Sequence, residues 1–212
     1  MKQFKDIKLC LFDCGGVVYP YSLESFYLCL EKYSPKAKSF HFKWKDLMLG
    51  RISVSDFNKD ICSLLGVDFD EKKSKELNDS LLKGVGPVYP QTRELISYLK
   101  GQNVKIGMLS NALPQLEKTI EGLSFDFDFV FPSYKLNALK PDEMIFKQVQ
   151  NQTKIPFENM LFIDDKKENV NAASLLGIKA LVYNSKTVLN DTRKIMGGKN
   201  VRYSCDRGCN CR

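Results

Sequence analysis

No run of apolar residues in this 212-residue chain is long enough to cross a bilayer, so nothing in it reads as a membrane span. The opening MKQFKDIK lacks the layout of a signal peptide and passes straight into an apolar stretch, so a cytoplasmic location is expected. There is no internal repeat and no low-complexity tract. Histidine occurs once, as His41, and no two cysteines have the CxxC spacing common in zinc sites. Cys10, Cys14, Cys29 and Cys62 stand in apolar or helical contexts and read as small buried hydrophobes, reduced as in a cytosol. Cys205, Cys209 and Cys211 crowd the end, SCDRGCNCR, where CxxxCxC offers three thiolates without an evident fourth ligand. Residues 197–212 therefore read as a frayed, cysteine-containing basic tail.

The net charge of +7 is concentrated late in the chain. From Lys166 onward ten Lys or Arg face only Glu168, Asp191 and Asp206, which accounts for the whole excess. These cations are scattered and lack interleaved aromatics, so a solvated surface is expected and a nucleic-acid partner is not. A hydrophobic content of 43% and a charged content of 27% are ordinary for a domain that buries a full core.

Five short apolar runs read as strands: Leu9–Phe12, Val104–Leu109, Phe129–Phe131, Met160–Ile163 and Ala180–Tyr183. Helical spacing lies between them at Gln91–Lys100, Pro114–Leu123, Pro141–Gln152 and Asn169–Leu176, with Pro141 at a first helical position and Gly177 just past a helix end. The alternation predicts an α/β protein with a Rossmann-like, doubly wound parallel sheet. Residues 1–18 and 89–196 would form this core. Residues 19–88 break the alternation with apolar residues at helical spacing, and read as a small inserted helical domain with Trp44 in its core. Gly84-Val85-Gly86-Pro87 is a hinge candidate on its return side.

In such sheets ligands bind at the carboxyl ends of the strands, and four stations fall there. Asp13 ends LCLF, followed by Cys14, Gly15 and Gly16, where a phosphate-sized ligand can approach the backbone closely. Ser110 and Asn111 follow the second strand, Lys140 precedes Pro141, and Asp164-Asp165 close the fourth strand with Asn169 beyond. Together they suit phosphoryl transfer through a covalent aspartyl-phosphate on Asp13. An ionised nucleophile must approach a dianion, so Lys140 and a divalent cation would offset the repulsion, while Ser110 and nearby amides donate to phosphoryl oxygens. Mg2+ suits oxygen donors such as Asp13, Asp164, Asp165 and the Gly15 carbonyl.

On these motifs the chain resembles the haloacid dehalogenase-like (HAD) superfamily. FDCGG matches the first family motif through Asp13, LSN the second through Ser110, KPDEMIF the third through Lys140, and IDDKKEN the fourth through Asp164, Asp165 and Asn169. The helical insert looks like the cap of the subgroup containing small phosphatases, and LGRISVSDF resembles a segment common in such caps. The resemblance implies a Mg2+-dependent phosphatase acting on a small phosphomonoester such as a sugar phosphate, as a monomer or homodimer, with Asn169 supporting the acids.

One departure constrains that expectation. In family phosphatases a second Asp protonates the leaving group and then activates water, and here that place is Gly15. Good leaving groups should therefore be favoured, and mutase activity is disfavoured. A metal-independent 2-haloacid dehalogenase is the alternative enzyme, since such dehalogenases also lack the second Asp. A catalytically weak binding or regulatory module is the non-enzymatic alternative.

Overall fold

LCLF at residues 9–12 is buried at every position and forms the middle strand, β1 (Leu9–Phe12), of a five-stranded sheet. The computed structural model describes residues 7–122 and 127–197. Within them β2 (Lys105–Ser110), β3 (Phe129–Pro132), β4 (Met160–Asp164) and β5 (Lys179–Val182) complete the order β3-β2-β1-β4-β5, with every pair parallel. Five α-helices lie between β1 and β2, and the first four fall within residues 19–88: α1 (Glu24–Glu31), α2 (Trp44–Met48), α3 (Val54–Leu65) and α4 (Glu71–Leu82). Next come α5 (Pro90–Gly101), α6 (Glu117–Glu121), α7 (Ser133–Leu136), α8 (Glu143–Thr153), α9 (Lys167–Leu175) and α10 (Val188–Ile195).

A parallel sheet covered on both faces needs apolar side chains in both directions along each central strand. Cys10 and Phe12 face one core with Ile106, Met108 and Ile163, against Leu95, Ile96 and Leu99 of α5. Leu9 and Leu11 face the other with Leu109 and Phe162, against Ile145, Phe146 and Val149 of α8. The edge strands β3 and β5 are less covered, and Val130 and Val182 are exposed. This is the doubly wound, Rossmann-like α/β architecture that the alternating pattern predicts.

Three local expectations are corrected. Pro141 does not open a helix: its peptide bond to Lys140 is cis, and α8 begins at Glu143. Asp142 is the N-cap, its carboxylate accepting the Met144 N–H at 2.9 Å and thereby satisfying an otherwise free donor. The stretch from Pro114 divides into a 3-10 turn over Pro114–Leu116 and the short α6, and Leu123 lies outside the described residues. Helix α9 starts at Lys167, two residues earlier than Asn169. Gly177 adopts φ +88° just past the end of α9, where a left-handed residue terminates a helix.

The chain enters and leaves the helical insertion side by side. Tyr21 bridges Val85 in antiparallel fashion, Ser22 N–H donates to Gly84 O at 3.0 Å, and Gly86 N–H donates to Pro20 O at 2.9 Å. A Cβ at residue 84 would lie 1.9 Å from Ser22 O, so glycine there permits close backbone approach. The apolar face of the insertion is continuous with one face of the sheet, because Phe26, Phe57, Ile61 and Leu81 share a cluster with Phe12 and Met108. Trp44 packs within it against Phe26 and Phe57, at ring-centroid distances of 5.2 and 4.8 Å. No helix among the described residues is long and apolar enough to cross a membrane. Cys205, Cys209 and Cys211 lie outside the described residues.

Candidate active site

The strand register brings the acids together. Phe12 pairs with Met108 on one side and Ile163 on the other, and Asp13 N–H donates to Ile163 O at 2.9 Å. Asp13, Ser110 and Asp164 consequently emerge at the same edge, in the crevice where the connections from β1 and β4 diverge. The carboxylates of Asp13, Asp164 and Asp165 offer oxygens within 4.8 Å of one another.

Lys140 reaches these acids from the loop before α8 and is almost wholly buried, with its side chain 1% exposed. Its ammonium makes contacts of 2.8 Å to Asp13 Oδ1, 2.7 Å to Asp164 Oδ2 and 2.8 Å to Leu109 O. The contacts to Asp164 and Leu109 are hydrogen bonds and that to Asp13 is an ion pair, so two carboxylates and a carbonyl compensate the buried cation. Its backbone is held by Asn111, whose amide donates to Lys140 O at 2.9 Å and accepts from Lys140 N–H at 2.8 Å. The Asn111 side chain positions Lys140, and the residue also lines the cavity that holds the acids. The second motif thus fixes the third.

Asp164 is fully buried and already saturated. Its Oδ1 accepts from Lys166 N–H at 2.8 Å and Asn169 Nδ2 at 3.0 Å; its Oδ2 accepts from Lys140 Nζ and, at 3.0 Å, from Asn169 Nδ2. The adjacent carboxylates therefore differ. Asp164 anchors Lys140 and Asn169, whereas Asp165 has its side chain toward the cavity that Asp13 also lines. Burial, then the neighbouring charges of Asp13 and Asp164, push the Asp165 carboxyl above its ordinary value.

Asp13 Oδ1 is ion-paired with Lys140 and accepts from Cys14 N–H at 2.7 Å, while its Oδ2 has no hydrogen-bond partner among the described residues. Gly16 stands at φ +85°, and a Cβ there would fall 2.6 Å from Asp165 Oδ2. Glycine is needed here both for its backbone and for the space that Asp165 occupies. Gly15, Ser110 and Asn169 line the same cavity of about 270 Å³. The Ser110 hydroxyl bonds to none of the described residues, and Asn169 Oδ1 is buried without a partner.

Cys14 behaves differently from its neighbours. Its side chain is buried in the core, and burial pushes its thiol up to about 12, far from a reactive thiolate. Only its backbone serves the site. Tyr21 and Lys166 also line the cavity. Lys166 was not singled out in the sequence, although its place directly after Asp165 was a usable signal.

A parallel sheet with a carboxylate after its central strand, and a buried lysine binding two acids at the switch point, defines a doubly wound α/β protein with an acidic centre. Residues 7–177 match the family model for haloacid dehalogenase-like hydrolase, and the chain belongs to that family. Among known proteins it is 25% identical to the sesquiterpene phosphatase astK of Aspergillus oryzae, over 90% of this chain and 97% of that protein. It is 24% identical to an (S)-2-haloacid dehalogenase of Pseudomonas fluorescens, over 82% of each. A HAD family enzyme of Bacteroides thetaiotaomicron, solved with magnesium and inorganic phosphate, superposes with a TM-score of 0.74 at 22% identity, covering 84% of this chain and 95% of that one.

Proposed function

We propose that the protein is a Mg2+-dependent phosphatase that hydrolyses a small phosphomonoester through an aspartyl-phosphate on Asp13. The observation that carries this reading is the asymmetry of the Asp13 carboxylate. One oxygen is fixed by Lys140 and Cys14 N–H, and the other has no partner among the described residues and lies at the cavity. A nucleophile needs that arrangement: an aimed lone pair, and a nearby cation that lowers the cost of approaching a dianion.

The donor set fits a hard divalent cation. Asp13 and Asp165 present carboxylate oxygens to one cavity, and the orphaned Asn169 Oδ1 would accept from a water that such an ion retains. Asp13, Asp165 and the Gly15 carbonyl would hold Mg2+, while Asp164, saturated by its own partners, supports the site through Lys140. When bound, Mg2+ would supply positive charge toward phosphoryl oxygens and relieve the repulsion between Asp13 and Asp165. The chain's own residues do the rest. Asp13 attacks phosphorus, Lys140 offsets negative charge, and the free Ser110 hydroxyl donates to a phosphoryl oxygen. The insertion is read as a cap that closes the leaving-group side. The absence of a carboxylate at residue 15 leaves no acid there to protonate the departing oxygen, so good leaving groups are favoured.

Sequence similarity to a phosphatase supports this reading, and so does the magnesium and phosphate bound by the Bacteroides enzyme. Similarity to dehalogenases makes halide release the competing outcome. A panel of aryl, alkyl and sugar phosphates with Mg2+ should show release of phosphate that EDTA and Asp13→Asn both abolish. Release of halide from a 2-haloacid that is unaffected by EDTA, with no phosphate release, would overturn the proposal.

A further inference from the structure

Beside the acidic cavity lies a second, apolar one of about 280 Å³, lined by Leu23, Trp44, Met48, Leu113, Leu116 and Ile120. The two adjoin: Gly15, Tyr21, Ser110, Asn111 and Lys166 line both. Among the described residues Lys166 is the only charged one along the apolar cavity, and it stands at this shared border. The walls come from different parts of the chain. Leu23, Trp44 and Met48 belong to the insertion, and Leu113, Leu116 and Ile120 to the segment after β2. They are tied together, since Ser133 Oγ donates to Met48 O at 2.7 Å and accepts from Ala112 N–H at 3.1 Å. The cavity is thus built into the joint between insertion and sheet.

We infer, resting on the phosphatase reading above, that this cavity receives the leaving group, and that the substrate class is the phosphomonoester of an apolar alkyl, terpenoid-like or aryl alcohol. A sugar phosphate, the class expected from resemblance, would fit poorly. Each sugar hydroxyl placed against Leu, Met and Trp side chains loses its water without gaining a partner, which costs roughly 5- to 150-fold in affinity. Each methylene placed there gains about fourfold. An apolar cavity of about 150 Å³ holds one benzene, so this one takes about ten carbon atoms.

The test uses the whole chain with Mg2+ and two matched series, all kept below micelle-forming concentrations. For n-alkyl phosphates from ethyl to decyl, kcat/KM should rise about fourfold per methylene and level off when the cavity is full. Cyclohexylmethyl phosphate should be cleaved at least 100-fold more efficiently than glucose 6-phosphate, which also releases a primary alcohol but carries hydroxyls on its ring. A series flat in chain length, or glucose 6-phosphate cleaved as well as cyclohexylmethyl phosphate, overturns the inference while leaving the phosphatase reading intact. Alkylphosphonates of the same lengths, which cannot be hydrolysed, are titrated by calorimetry in parallel. Binding that tightens with length and carries a negative heat-capacity change supports the apolar site even if no ester is cleaved. Length-independent phosphonate binding counts against it.

Discussion

Replacing Lys140 with methionine should be among the most damaging single changes this fold can suffer, and the damage should depend on Asp164. The ammonium lies 2.8 Å from one Asp13 oxygen and 2.7 Å from one Asp164 oxygen, with all three side chains nearly or fully buried. At an effective dielectric constant of about 20, each contact is worth roughly 6 kcal/mol of gross Coulomb attraction. Much of that is spent desolvating the ions, and removing one partner of such a network costs about 3–5 kcal/mol. Asp164 suffers most because it is wholly buried, although Asn169 and the Lys166 N–H remain as donors. With a urea m-value of about 2–3 kcal/mol/M, the unfolding midpoint should fall by roughly 1–2 M. Circular dichroism reports the sheet and helices, and the single tryptophan, Trp44, reports the insertion. In the background of Asp164→Asn the same substitution should cost at least 2 kcal/mol less, because no buried anion at residue 164 is then abandoned. Additive effects within about 0.5 kcal/mol, or a cost below 1 kcal/mol for Lys140→Met alone, would refute the buried-cation argument.

Gly16→Ala should weaken Mg2+ binding at least tenfold by calorimetry, since its Cβ would meet Asp165 Oδ2 at 2.6 Å; left-handed strain adds about 1–2 kcal/mol of destabilisation. Unchanged affinity would separate Asp165 from the metal. A Cβ at residue 15 would meet only Tyr21 Cβ, at 3.4 Å, and Gly15→Asp should raise turnover of alkyl phosphates by about 10²-fold. No gain in a folded variant would mean that another group already supplies the proton. Glu76 accepts from Lys32 Nζ at 2.6 Å and Tyr33 Oη at 2.7 Å, and these partners, Lys32 foremost, hold its carboxyl below its ordinary value. A depressed carboxylate stabilises the fold above its unfolded value of about 4.3 and ceases to do so as pH falls through the folded one. Glu76→Gln should therefore cost below about 1 kcal/mol at pH 7, the pair being partly exposed, with the difference fading toward pH 3 in thermal melts. A difference independent of pH would contradict this assignment.

The strands were legible because a buried parallel sheet leaves apolar runs that end abruptly, as LCLF ends at Asp13 and MLFI at Asp164. Helix boundaries were less so. Pro141 looks like a helix start by residue type, but Asp142, able to cap the Met144 N–H, sets the boundary two residues later. Most of the residues that line the acidic cavity could be picked out from the sequence, but their separate contacts could not. Nothing in the order Asp164-Asp165 says which carboxylate is saturated, because that depends on Lys140 and Asn169 arriving from elsewhere. Nor does the sequence show that the Asn111 side chain makes reciprocal bonds to the Lys140 backbone. The apolar cavity was the least legible feature, since its walls come from separate segments whose leucines and methionine look like ordinary core.

Covalent chemistry at Asp13 is the central claim, and its most direct test is mass spectrometry after rapid acid quench. The protein is mixed with Mg2+ and excess aryl phosphate, quenched within the first turnover and digested. The peptide containing Asp13 should gain the mass of one phosphoryl group, and fragmentation should place it on that residue. Steady phosphate release while Asp13 stays unmodified at every quench time, or release that persists in Asp13→Asn, would contradict the account.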